Sequence, residues 1–192
     1  LYLISYERKF GPELRSALEE DGVTLRPYLQ LYQDIREIPG NSRVLVDPSK
    51  LNYAILKGIP ASVTLIGHTN PTVGPKSVKN AVECENERLA HIKDGVALTR
   101  FMKWLHDHVG KEPITEISAA EKLEQFRGEM EHYLGPSFDP IMGYGPHGAI
   151  IHYSATPETD AALEPHGFLL SDTGGHYLEG STDVTRTFVL GP

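Results

Sequence analysis

The sequence predicts an α/β unit over residues 1–70 followed by an α+β unit over residues 71–192, in which helices precede a sheet. Three observations predict it. Short β-rich runs alternate with helix-like segments in the first part, as in an α/β unit with a partly parallel sheet. The stretch Gly67 to Pro75 is dense in turn formers and lacks an apolar period. Beyond it, apolar residues recur first at helical and then at strand spacing.

In the first unit the expected strands are Tyr2 to Tyr6, Thr24 to Tyr28, Arg43 to Asp47 and Val63 to Ile66. Helices are expected over Pro12 to Glu20, where Pro12 suits a first turn, and over Leu51 to Lys57, closed by Gly58 and Pro60. The stretch 67–75 reads as the linker. In the second unit Leu89, Ile92 and Val96, then Phe101, Leu105 and Val109, predict a long amphipathic helix with a break near Gly95 and a stop at Gly110 and Pro113. Ser118 and Glu121 match a capping box for a second helix, with Leu123, Phe126 and Met130 as its buried stripe and an end by Gly135-Pro136. Strands are expected over Ala149 to Tyr153, Phe168 to Asp172 and Thr182 to Leu190.

Composition narrows the function. A formal net charge of −8 with no basic run argues against nucleic acid, because neutralising phosphates needs a Lys/Arg-rich face. No apolar stretch approaches the roughly 20 residues that span a bilayer, so no membrane partner is expected. The one cysteine, Cys84, cannot form an intramolecular disulfide, which fits a reducing, cytoplasmic setting, and its place between Glu83 and Glu85 disfavours a nucleophilic thiolate. The chain opens at Leu1 and closes on Gly191-Pro192 after a strand-like run, so it reads as an excerpt of something longer.

The segment from Phe168 to Phe188 carries the most chemistry. Asp172 ends one apolar run and Asp183 opens the next, so hairpin pairing would aim both carboxylates at one point. Close carboxylates repel unless a cation or proton lies between them, and hard oxygen donors suit manganese, magnesium or calcium, with zinc once histidine joins. The competing reading is that both are turn and strand-end caps. His152, a polar residue in an apolar run, is a candidate acid/base or oxyanion partner, or else a buried histidine satisfied by backbone. His147 and His176 read as exposed turn residues, and Arg186 as a structural ion-pair partner facing away from Asp183. No G-x-S-x-G, H-E-x-x-H, Walker-type or Rossmann glycine motif is present.

Lys79-Asn80 through Glu83, Ala90-His91-Ile92, Asp94 to Ala97, Thr115 to Ser118, Gly148 to Tyr153, Ser171 to Gly175 and Gly180 to Thr187 together resemble the pita-bread metallopeptidases, and among them the cytosolic, three-domain Xaa-Pro aminopeptidases. The resemblance implies a creatinase N-terminal-like unit over 1–70, the second noncatalytic domain of such an enzyme, and the first half of the pita-bread catalytic domain over 71–192. It implies Asp172 and Asp183 as the first two metal ligands, Asp183 bridging two divalent ions, manganese or else zinc or cobalt. It implies His152 as the catalytic histidine that contacts substrate and assists proton transfer. The implied reaction is removal of the N-terminal residue from a peptide with proline second. A further histidine and two glutamates, one of them the general base, lie later in the family's sequences, so this chain alone is expected to bind metal weakly and to hydrolyse little. Other readings keep the fold as a noncatalytic peptide- or partner-binding module, or change the substrate to that of prolidase or another pita-bread peptidase; creatinase-like relatives work without metal, and the two aspartates argue against them. Self-association, as a homodimer or an aggregate, is expected from apolar surface that the second half of the fold would cover.

Overall fold

The computed structural model describes residues 1–191. They form two compact units, Leu1–Val78 and a second that begins at Lys79.

The first unit runs β1 (Tyr2–Ser5), α1 (Pro12–Glu20), β2 (Thr24–Pro27), α2 (Gln30–Arg36), β3 (Arg43–Val46), α3 (Tyr53–Gly58), β4 (Thr64–Gly67) and α4 (Val73–Ser77). β1 pairs with β2 and β3 with β4, both in parallel, as two separate ladders. Parallel neighbours need a crossover, and α1 and α3 lie between the paired strands. Pro12 occupies the first turn of α1, and Asn52 caps α3 by accepting the Ala54 N–H at 2.8 Å. α2 was not expected from the apolar pattern; Arg26 of β2 reaches its Asp34 at 2.6 Å. The expected linker is also more ordered than its composition predicts. Its first residue ends β4, Asn70 donates its N–H to Asp47 at 3.1 Å, and the Asn70 side chain accepts the Thr72 N–H at 3.0 Å to open α4.

The second unit runs α5 (Ala81–His108), α6 (Glu116–Gly128), β5 (Tyr133–Pro136), β6 (Ile141–Tyr144), β7 (Phe168–Thr173), β8 (Gly175–Tyr177) and β9 (Val184–Val189). Asn80 and Glu83 form the capping box that starts α5, and the helix passes Gly95 without a break. Its buried face is Ala90, Asp94, Ala97, Leu98, Phe101 and Leu105. The expected stripe of Leu89, Ile92 and Val96 instead faces outward, at 41%, 63% and 48% exposure. The phase that Phe101 and Leu105 set runs back through small residues and one aspartate, so counting apolar residues picked the wrong side.

α6 starts one turn earlier than expected. Thr115 and Ser118, not Ser118 and Glu121, satisfy each other's backbone N–H groups at 3.2 and 2.8 Å, and the helix ends at Gly128, before Met130. Leu98, Phe101 and Leu105 of α5 and Ala119 and Leu123 of α6 pack with Met142, Leu169 and Leu190 in one core.

β7 is the centre of a three-stranded antiparallel sheet, flanked by β6 and β9, and β5 pairs antiparallel with β8. The run Ala149 to Tyr153 is not a strand. Residues Gly145–Ala149 form a 3-10 turn, and the chain then closes on itself through Ile150 N–H to the His147 carbonyl at 3.1 Å and Tyr153 N–H to the Ile150 carbonyl at 3.2 Å.

Candidate metal centre

The β7–β9 register sets Asp172 opposite Thr185 and Thr173 opposite Val184. Thr182 N–H donates to the Gly175 carbonyl at 2.9 Å and keeps that register through the turn, so Asp183 falls opposite Gly174. Side chains alternate across a strand. Leu169, Ser171 and Thr173 are buried against the helices, which leaves Asp172, Thr185 and the position of Asp183 on the opposite face. Asp172 is half-buried and Asp183 exposed. The Thr185 hydroxyl donates to Asp172 Oδ1 at 2.8 Å and fixes the carboxylate's rotation. Gly174 cannot carry a side chain, because a Cβ there would run into the Thr182 carbonyl and Ser137 Oγ.

The other face of β7 is tied to both helices by a buried ion pair. Arg127 and Asp94 are 2% and 1% exposed, and the guanidinium donates to both carboxylate oxygens, at 2.7 and 3.2 Å. Arg127 Nη2 also donates to Thr173 Oγ1 at 3.0 Å, and Tyr177 of β8 donates its hydroxyl to Asp94 at 3.1 Å. Burial first, and then the Asp94 charge, push the Tyr177 phenol up. Thr173 directly follows Asp172, so this network holds the backbone on which that carboxylate stands. A second tie joins α5 to the β8 turn: Glu179 accepts from Lys93 and from His132, each at 2.7 Å.

His152 is neither in a strand nor buried. It is exposed, with a left-handed φ of 54°, at the end of the turn that follows β6. The 3-10 turn before it packs on the Asp172 face at Gly148. Gly143 projects to that face, opposite Leu170, and a Cβ on it would stand 2.9 Å from the Gly148 backbone. His147, expected to be an exposed turn residue, is half-buried; its Nδ1 meets Glu116 at 2.9 Å and its ring stacks on Tyr153 at 4.5 Å. Arg186 has no carboxylate partner among the described residues, and its guanidinium donates to the Thr185 carbonyl at 2.7 Å. His176 is exposed, with Nδ1 2.6 Å from Ser181 Oγ.

Glu116, Asp94 and Arg127 were missed as site-building residues. Glu116 and Arg127 share the helical phase of Ala119 and Leu123 on α6, and a charge in that phase was the available signal. Asp172 and Asp183 suit a hard divalent cation as part of a first shell. Two carboxylates do not fill one, and among the described residues no group of three His, Cys, Asp or Glu side chains is placed to hold an ion.

Residues 85–192 match the profile of metallopeptidase family M24. The chain belongs to family M24. Residues 1–83 match the creatinase/prolidase N-terminal domain, so an M24 region follows a creatinase-type N-terminal domain. Among M24 relatives, the chain is 35% identical to a probable Xaa-Pro aminopeptidase P of Chaetomium globosum and 33% to one of Talaromyces marneffei. Those matches cover 95% and 96% of this chain but only 31% and 30% of the relatives. The X-prolyl aminopeptidase of Caenorhabditis elegans, described as cytosolic with a di-nuclear active site, superposes over the whole chain with a TM-score of 0.90 at 27% identity, covering 32% of that enzyme. A Bacillus anthracis Xaa-Pro dipeptidase shares the fold, at a TM-score of 0.73 and 18% identity. The chain thus spans about a third of the length of these M24 aminopeptidases.

Proposed function

We propose that this chain supplies part of the active site of a metal-dependent Xaa-Pro aminopeptidase, which releases the N-terminal residue from peptides with proline in second position. Residues up to Val78 would form the noncatalytic domain before the catalytic one, and residues from Lys79 the first half of the pita-bread domain. The observation that supports the reading is the β7–β9 register, continued by the Thr182–Gly175 hydrogen bond, by which Asp172 and Asp183 would share one sheet face in a chain of family M24.

Asp172 and Asp183 would hold two divalent cations, manganese before zinc or cobalt, since oxygen donors suit manganese. When bound, such a pair supplies a hydroxide nucleophile and polarises the scissile carbonyl. Thr185 keeps one Asp172 oxygen occupied and the carboxylate oriented. His152, exposed at the end of the turn that follows β6, would contact the peptide and move a proton at the reacting amide. A cytoplasmic location, a peptide as the partner in place of nucleic acid or membrane, and a homodimer complete the reading. It is supported by the acidic balance, the exposed apolar residues and the likeness to the cytosolic nematode enzyme.

Metal content and hydrolysis test this together. The 192-residue chain is expected to bind manganese weakly, to lose that binding in Asp172→Asn and Asp183→Asn, and to leave a Xaa-Pro-Xaa tripeptide uncut. Equal metal content in the wild type and both variants would sink the ligand assignment. In a longer form that turns over, cleavage of Xaa-Pro dipeptides but not tripeptides would replace the aminopeptidase with a prolidase.

A further inference from the structure

Glu116 is 0% exposed, yet it belongs to neither the sheet face of Asp172 nor the Arg127 pair. Its carboxylate is spent entirely on the excursion that joins β6 to β7. Oε1 accepts the Tyr144 N–H at 2.7 Å and faces His147 Nδ1 at 2.9 Å, while Oε2 accepts the Tyr153 hydroxyl at 2.9 Å and the Ala161 N–H at 3.1 Å. Its own N–H donates to the Ala161 carbonyl at 3.0 Å. One side chain therefore binds the segment that leaves β6 at its start, at His147 and Tyr153 and again at Ala161, before β7 begins at Phe168.

His152 sits inside that clamp, next to Tyr153. A left-handed φ on a residue other than glycine persists only where the surroundings over-determine it. Here they do: Tyr153 is bonded to Glu116 and stacked on His147, and His147 is bonded to the same carboxylate. We propose that Glu116 is the positioning residue for His152, fixing the strained turn that carries it so that the exposed imidazole is preset for substrate. This rests on the reading of His152 given above.

The conservative replacement is diagnostic. Glu116→Gln keeps the size but turns one oxygen into an NH2 group, and each side of the carboxylate meets a backbone N–H, Tyr144 on one and Ala161 on the other. Either amide orientation sets donor against donor.

In 15N spectra of the 192-residue chain, Glu116→Gln is expected to move the His152 amide and imidazole signals and to speed amide exchange there, with the signals of Tyr177, in the other network, unmoved. Unchanged His152 signals overturn the proposal. In the longest form of the protein that cleaves a Xaa-Pro-Xaa tripeptide, Glu116→Gln should lower kcat about 10–100-fold, as loss of an orienting partner does, with KM and metal content unchanged. The variant Glu116→Gln/His152→Ala should be no slower than His152→Ala alone. Full additivity of the two losses overturns the proposal, because Glu116 would then act through another group. If Glu116→Gln fails to fold, Tyr153→Phe, which removes one bond of the clamp, should show the same shifts and the same non-additivity on a smaller scale. A His152→Ala variant of undiminished kcat would sink the catalytic reading of His152 itself, while the chain's spectra still judge whether Glu116 holds the turn.

Discussion

Glu179 shows what a single side chain contributes and why it was hard to see. Its carboxylate is pulled from the ordinary 4.5 to about 2, first by the Lys93 ammonium and then by His132. A carboxylate with a folded pKa below its unfolded one binds fewer protons when native, so its contribution is present above about pH 4.5 and is lost as pH falls toward 2. Urea midpoints of the wild type should therefore drop across that window, and Glu179→Gln should flatten the drop; superimposable pH profiles would refute the tie. Lys93 lies 86 residues away in sequence, and no local pattern announces such a pairing. Glu116 and His147 are 31 apart, with the same result. Asp172 and Asp183 were legible as a pair because strand ends and the turn between them are local features. His152 was legible as a residue but not as a conformation, since the apolar run around it reads as a strand unless the crowding of Gly143 by Gly148 is known.

Among the elements, α5 carries the clearest lesson about periodicity. Its existence follows from the apolar spacing, but its unbroken run past Gly95 does not, and its rotation follows from Asp94, which a hydrophobic count places outside and the Arg127 guanidinium draws inside. The pair joins α5 to α6, and through Thr173 it joins both to β7. Removing one partner strands a buried charge, which costs on the order of 3–5 kcal/mol. Arg127→Ala and Asp94→Ala should each lose about that much in chemical denaturation, and the double variant should lose less than their sum. Losses below about 1 kcal/mol, the level of an exposed pair, would mean that the network does not fasten the sheet to the helices. The strands of the first unit were legible from β-branched runs between turn residues. β5 and β8 were not, since each is short and glycine-bearing.

The molecule as a whole leaves apolar residues open on two sides of its second unit. Leu89, Ile92 and Val96 line one side of α5, and Phe168 and Val189, cross-strand partners on the Asp172 face, are 60% and 67% exposed. Surfaces of this kind drive association, so sedimentation coefficients should rise with protein concentration; a single monomeric species at every concentration would contradict the expectation. The order of an α/β unit before helices and a sheet was legible at this scale from the spacing of apolar and turn residues, and the pita-bread fold through the resemblance of motifs such as Gly180 to Thr187. The path of the β6–β7 excursion was not. That path has a consequence for how such a protein can diversify. Because Glu116 gathers Tyr144, His147, Tyr153 and Ala161, the polymer between Tyr153 and Ala161 is a closed loop of its own, and doubling the length of such a loop adds only about 0.6 kcal/mol of closure entropy. Ser154, Pro157 and Glu158 are exposed there, while the Thr156 carbonyl accepts the Thr159 and Asp160 N–H groups, so insertion and drift are expected around that one anchored turn and not at the histidine beside it.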